Sequence, residues 1–282
     1  MTGSILIYAN CQGEELQVTG RYMQTLTGVV DFKWIPLHLV TDADWENRYD
    51  EAFFADVTTV WEQVEGGVPS ENRRRFRERL PMDCPIVRFP PFSATFLWPF
   101  SDNDPRLAAD PHRYPWPDSA AALLANERLP DDELFDKYMR TTTEQMPDLN
   151  RRLCVDVARW KASDAMSDIH LADWMEAHFR SVNLFHTSGH ITAVAIGHLM
   201  KQLLSRTPVV PKSLQRTAAA DVDVLMRFHA GQDFETVPIH PLVAERLDLR
   251  FYDPNATWRW HSHRWTMRQY ILHYIHWDEY IR

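Results

Sequence analysis

The run "SILIYANCQGEELQ", residues 4–17, constrains the fold most. Ser4 to Tyr8 is short, continuous, apolar and rich in β-favouring residues, which is how a strand buried on both faces of a parallel sheet reads. A helix follows. Glu14 and Glu15 sit where a helix start favours anions, Leu16, Tyr22, Met23 and Leu26 recur near helical spacing, and Gly28 closes the segment. "VDFKWIPL" (30–37), "DVTTVWEQ" (56–63) and "CPIVRFP" (84–90) read as further strands, and Pro69, Ser70 and Glu71 supply helix start signals between the last two. This alternation predicts an α/β protein with a doubly wound, mostly parallel sheet flanked by helices.

The pattern breaks over residues 89–117, where Pro and aromatics dominate ("FPPFSATFLWPF", "PHRYPWPDS"). A loop of that length is uncommon in a compact domain unless it lines or covers a site, so it is read as a lid. Residues 118–180 read as a helical insertion, with "DIHLADWMEAHFR" (168–180) its clearest amphipathic stretch. "VNLFHT" (182–187) reads as the last core strand and "HITAVAIGHLMKQLLS" (190–205) as an apolar helix on the sheet. Beyond residue 208, "IHPLVAERLDL" and "WTMRQYILHYIHWDEYI" read as helices separated by a turn at "DPNATW". The expectation is a single domain over 1–282: a core over 1–208 interrupted by the lid and insertion (89–180), then a helical C-terminal extension (209–282).

The 282 residues suffice for a large core, and 45% hydrophobic with 24% charged residues is a globular profile. A formal net charge of −9 argues against nucleic acid or an anionic membrane surface as partner. The basic cluster "RRRFRER" (73–79) alternates with Phe76 and Glu78, the pattern of a solvated helix face. Three cysteines, Cys11, Cys84 and Cys154, are an odd number without CxxC spacing, which argues against a disulfide framework or a zinc site and favours a reducing compartment. With neither a signal peptide nor an apolar run long enough to span a membrane, the expected location is cytoplasmic.

Cys11 stands at a strand-to-helix turn, the place where ligands gather in α/β sheets and where helix N-termini stabilise a thiolate. A buried inert thiol is the competing reading, weakened by its polar neighbours Asn10, Gln12 and Gly13. In "HTSGHIT" (186–192), a helix beginning at Ser188 or Gly189 would put His190 in its first turn, where the dipole favours the neutral imidazole a general base requires. His190 is therefore the candidate base for Cys11. Gln63, at the end of its strand, is either an oxyanion donor, as Asn10 and Gln12 are, or an amide tying down a loop. Close histidine pairs are expected by chance among 13 His, and no HExxH pattern is present, so no metal is expected.

Together, "LIYANCQ", "TTVWEQ", "FPPFSATF", "NLFHTSGHIT" and "VPIHPLVAERL" resemble, in order and spacing, the WcbI-like polysaccharide biosynthesis proteins, regarded as acetyltransferases of capsule assembly. Two departures are Ala9 in place of Gly, and Gly189-His190-Ile191 in place of Asn-His-Pro. The resemblance implies a fold similar to the SGNH hydrolases and a site engaging coenzyme A or acetyl-CoA. Cys11 then takes the place of the hydrolases' nucleophilic serine, with His190 its partner. Those hydrolases carry an Asp three residues before the histidine, where this chain has Thr187. The leading expectation is transfer of an acyl group from coenzyme A to a sugar hydroxyl, with Cys11 either the nucleophile or only a pocket residue beside the base His190; side-chain chemistry adds Asn10, Gln12 and Gln63 at the oxyanion and, because guanidinium suits phosphate, Arg73, Arg74 and Arg75 at the cofactor phosphates. An esterase or deacetylase on the same fold, and a glycan- or protein-binding module using the aromatic loop, are the rivals.

Overall fold

The computed structural model describes residues 3–278. In chain order its elements are β1 (Gly3–Ala9), α1 (Cys11–Tyr22), β2 (Val30–Pro36), α2 (Asp42–Asn47), α3 (Glu51–Phe54), β3 (Val57–Gln63), α4 (Glu71–Glu78), β4 (Ile86–Phe89), α5 (Ser119–Leu123), α6 (Asp131–Glu144), α7 (Leu149–Asp164), α8 (Ala172–His178), α9 (Ala193–Arg206), α10 (Lys212–Phe228), α11 (Pro241–Arg246), β5 (Trp258–Trp260), β6 (His263–Trp265) and α12 (Met267–His276). The chain groups into two compact units where the sequence leads one to expect a single domain. One takes the residues up to Phe92, Arg159–Met175 and Ile191–Gly231; the other takes Ser93–Ala158, Glu176–His190 and the residues from Gln232 onward.

The first unit holds a four-stranded sheet, ordered β2-β1-β3-β4 and parallel at every pairing. β1 is central and buried from Ser4 to Ala9, which explains why its apolar run does not alternate. α1 lies against β2 at a distance only glycine permits, since a Cβ on Gly13 would fall 2.6 Å from Trp34 Nε1. That indole donates to Ala9 O at 3.1 Å, so the glycine of "NCQG" and the strand end are fixed together. Leu6, Tyr8, Ile35, Trp45, Phe54 and Phe76 form a core of this unit, with Tyr8 stacked on Phe76 at 4.2 Å. α9 packs with α10 and β4, and Trp61 Nε1 donates to Thr207 Oγ1 at 2.8 Å, tying β3 to the end of α9.

Helices and aromatic side chains make up the second unit. Tyr114, Leu134, Tyr138, Trp260, Tyr270 and Tyr274 are all at most 2% exposed and share one cluster. Its C-terminal part is a hairpin, β5 paired antiparallel with β6, followed by α12. The sequence reading misses that hairpin, because three-residue strands are too short to show a period. Within the Pro-rich stretch, Phe96, Leu97, Trp98 and Tyr114 are buried. The fully buried Asp156 carboxylate holds it, accepting from Thr95 N at 2.6 Å, Phe96 N at 3.0 Å and Thr95 Oγ1. The expected strand at 182–187 is absent as well. Asn183 Oδ1 accepts from Phe185 N at 3.2 Å, and His186 N donates to His190 O at 2.9 Å, so local turn bonds take backbone groups that a ladder would need.

Candidate functional site

In the first unit, the order β2-β1-β3 means the chain path reverses between β1 and β3, and the carboxyl ends of those strands carry Cys11 and Gln63. Such a reversal opens a crevice in which α/β sheets bind ligands. Cys11 is the first residue of the 12-residue helix α1 and is half-buried, so it combines access with the positive end of a helix. Asn10 is the N-cap, its side chain accepting from Gln12 N at 3.0 Å.

The three amides expected at an oxyanion are spent on holding this corner. Gln12 is fully buried; its Nε2 donates to Phe92 O at 2.6 Å, and its Oε1 accepts from Phe92 N at 3.1 Å and from Gln63 Nε2 at 3.0 Å. Gln63, 2% exposed, accepts from Asn10 N at 3.2 Å through Oε1. Gln12 and Gln63 therefore act as architecture: they splice the end of β3, the start of α1 and the segment after β4 into one hydrogen-bonded unit. Burial is the reason they are corrected from oxyanion donors, since neither is presented to solvent. Asn10 is likewise occupied, as a cap. Replacing Gln12 by Leu is expected to orphan the Phe92 N–H, the Phe92 carbonyl and the Gln63 amide at about 1–3 kcal/mol per group. A urea melt checks this, and an unchanged midpoint would show that the splice is dispensable.

The three arginines do not form a phosphate cradle either. Arg73 is 4% exposed and fully engaged, with Nη1 2.9 Å from Glu62 Oε1, Nε 3.1 Å from Glu65 Oε2 and Nη2 donating to Gln63 O at 2.8 Å. Charge complementarity with the fully buried Glu62 drew it inward, and so the phosphate role is withdrawn for Arg73. On α4, Arg74 is exposed and Arg75 half-buried, and they pair with Glu71 and Asp42 respectively.

His190 belongs to the second unit. α9 begins only at Ala193, with Thr192 at the N-cap position, so His190 precedes the helix instead of sitting in its first turn. Its neutrality has another origin: burial first, then the neighbouring His186, push its pKa down to about 4. The ring lies edge-to-face with Trp116, centroids 4.7 Å apart, and 5.1 Å from Phe234. Its Nδ1 is buried with no hydrogen-bond partner among the described residues. Thr187, three residues before the histidine, turns its hydroxyl to the backbone and accepts from His190 N at 2.9 Å and Gly189 N at 3.3 Å. Trp116 also walls a cavity of about 30 Å³, lined by Trp98, Asp118, Tyr138, His240 and Tyr270 among others, with room for about one or two water molecules.

Sequence reasoning missed Glu235, whose Oε2 accepts from Trp116 Nε1 at 2.7 Å. No local pattern marks it, because its partner is 119 residues away. Among the described residues, no group of three or more His, Cys, Asp or Glu side chains is arranged to hold a metal ion, and no helix is long and apolar enough to cross a membrane.

No curated protein matches this chain. Among solved structures, the chain is similar to WcbI, described as a novel polysaccharide biosynthesis enzyme and solved as native protein without a disulfide bond between coenzyme A and a cysteine. The TM-score is 0.68 at 14% identity, covering 98% of this chain and 90% of that one, so the fold is shared along nearly the whole length. The model of the family "Polysaccharide biosynthesis enzyme WcbI" matches residues 4–212, a stretch that runs from β1 through the Cys11 corner and His190 to the start of α10. The chain belongs to the WcbI family of polysaccharide biosynthesis enzymes.

Proposed function

We propose that this protein is an acyltransferase that moves an acyl group, acetyl in the simplest case, from coenzyme A to a hydroxyl of a sugar in polysaccharide assembly. The observation that carries the reading is Cys11, a half-buried thiol on the first residue of α1 at the crevice where the strand order reverses. Family membership supports a polysaccharide substrate, and the coenzyme A named with a cysteine in the neighbouring WcbI structure supports the donor.

In this reading the Cys11 Sγ thiolate attacks the thioester carbonyl of acyl-CoA, the carbon–sulfur bond to coenzyme A breaks, and the coenzyme leaves as its thiolate. The acyl group then sits on Cys11 as a thioester. A sugar hydroxyl attacks it, His190 accepts the hydroxyl proton, and the Cys11 thiolate is released. His190 is assigned here by its match to the family pattern and by its neutral imidazole.

A thermal-shift titration with coenzyme A, acetyl-CoA and simple sugars tests the donor, and intact-mass measurement after a single exposure to acetyl-CoA tests the covalent step. Stabilisation by the coenzyme and a 42-dalton adduct on Cys11, roughly the mass of an acetyl group replacing a hydrogen, are expected. Stabilisation by neither coenzyme species overturns the reading, and acetate release with no sugar acylation turns it into a hydrolase. The pH dependence offers a separate check. A base whose pKa lies at about 4 stays neutral over the physiological range, so the acid limb of kcat/KM for the sugar, which reports the acyl-enzyme on which His190 acts, is expected near pH 4 instead of near 6.5. An acid limb at the ordinary histidine value would remove His190 from the role.

A further inference from the structure

The second unit holds the candidate base without the carboxylate that usually orients such a histidine. Thr187 occupies that carboxylate's place and caps the backbone, while His190 Nδ1 has no partner among the described residues. The ring is gripped by other rings instead, Trp116 edge-to-face at 4.7 Å and Phe234 at 5.1 Å. An aromatic clamp holds an imidazole only as firmly as its own rings are held. Trp116 has one polar handle, its Nε1–H, and that donates to Glu235 Oε2 at 2.7 Å, a short charge-assisted bond.

Glu235 is itself rigidly mounted. It is 8% exposed and bridges Trp260 on β5, while its neighbours continue the pairing: Thr236 N donates to Arg259 O at 2.8 Å and His261 N to Phe234 O at 2.6 Å. The second carboxylate oxygen lies 3.4 Å from His261 Nε2. His261 adopts the left-handed backbone region at φ 50°, a conformation a non-glycine residue keeps only when its surroundings hold it there. One backbone junction thus fixes both halves of the clamp, Phe234 directly and Trp116 through Glu235.

We propose that Glu235 is the positioning residue for His190, acting through the Trp116 indole in place of the missing carboxylate on Nδ1. The inference rests on His190 being the base. It requires a hydrogen-bond acceptor at residue 235, not a charge at the imidazole, and so separates Glu235 from the acid of a conventional dyad.

Three variants of the full chain test it: Glu235→Gln, which keeps an acceptor oxygen for Trp116; Glu235→Leu, which removes it; and Trp116→Phe, which keeps a ring but not the donor. The first readout needs no activity: the His190 ring carbon and nitrogen resonances by NMR. They are expected to move in Glu235→Leu and Trp116→Phe and to stay near wild type in Glu235→Gln. The second is transfer from acetyl-CoA, where kcat is expected to fall on the order of 10- to 100-fold in Glu235→Leu with kcat/KM for acetyl-CoA unchanged, because His190 serves only the transfer to the sugar, and to recover in Glu235→Gln. Unmoved His190 resonances in Trp116→Phe, or a Glu235→Gln variant as impaired as Glu235→Leu, overturn the proposal. Should Glu235→Leu fail to fold, the Gln and Phe variants still decide it. Full transfer activity in a His190→Ala control refutes the base assignment on which it rests, while the resonances report on the clamp separately.

Discussion

Replacing Cys11 by alanine is expected to lower acyl transfer from acetyl-CoA on the order of 10³-fold or more, the scale on which an enzyme responds to loss of its nucleophile. The fold is expected to stay intact. The bonds that splice the end of β3, the start of α1 and the segment after β4 are made by Asn10, Gln12, Gln63 and Phe92. Thermal unfolding of Cys11→Ala should therefore fall within about 1 kcal/mol of wild type. Parallel melts and initial rates, with intact mass for the acyl adduct, separate a chemical loss from a structural one. A Cys11→Ala enzyme that keeps most of its activity rules out the covalent route and reduces the cysteine to a pocket wall.

The second large effect falls on stability. Glu62 is fully buried at the end of β3 and faces Arg73 Nη1 at 2.9 Å, Arg77 Nη2 at 2.8 Å and Arg88 Nε at 3.8 Å. Replacing it by Leu leaves Arg73, itself 4% exposed, without its main counter-charge in a medium that solvates it poorly. Breaking such a pair from one side costs about 3–5 kcal/mol, a large share of the roughly 5–15 kcal/mol that holds a typical domain folded. The double variant Glu62→Leu with Arg73→Met is expected to recover part of that loss, because paired apolar groups need no counter-charge. Urea unfolding of the three proteins decides it. A single variant as stable as wild type would mean water reaches Arg73 despite its burial. Arg73 Nη2 also holds the Gln63 carbonyl, so Glu62→Leu should loosen the carboxyl end of β3 beside the Cys11 crevice.

What could be read in advance follows interaction range. The four core strands were legible to within two residues because an apolar run, as in β1, or an alternation of apolar and polar residues, as in β2 and β3, is signalled by the strand's own side chains. The placement of Cys11 followed from the same local pattern. The amides of Gln12 and Gln63 were recognisable as hydrogen-bonding groups, yet their partners lie 80 and 51 residues away, and residue type says nothing of which donor meets which acceptor. Arg73 misled for a related reason: a basic helix face reads as solvated until a buried carboxylate turns one of its members inward. For His190 the sequence points in the right direction through a helix dipole, whereas the shift comes from burial first and the neighbouring His186 second.

By itself, the sequence determined that this chain builds a parallel α/β sheet, that a cysteine closes its first strand, and that a histidine follows much later beside an apolar helix. Periodicity, caps and strand-end position carry those facts because they are set within a few residues of chain. Only the tertiary structure decided that Gln12 and Gln63 are buried struts, that Arg73 serves Glu62, and that Glu235 grips Trp116 beside His190. Each of those depends on which distant group supplies the counter-charge or the hydrogen-bond partner once water is removed, and desolvation, which sets that requirement, is a property of the packed molecule.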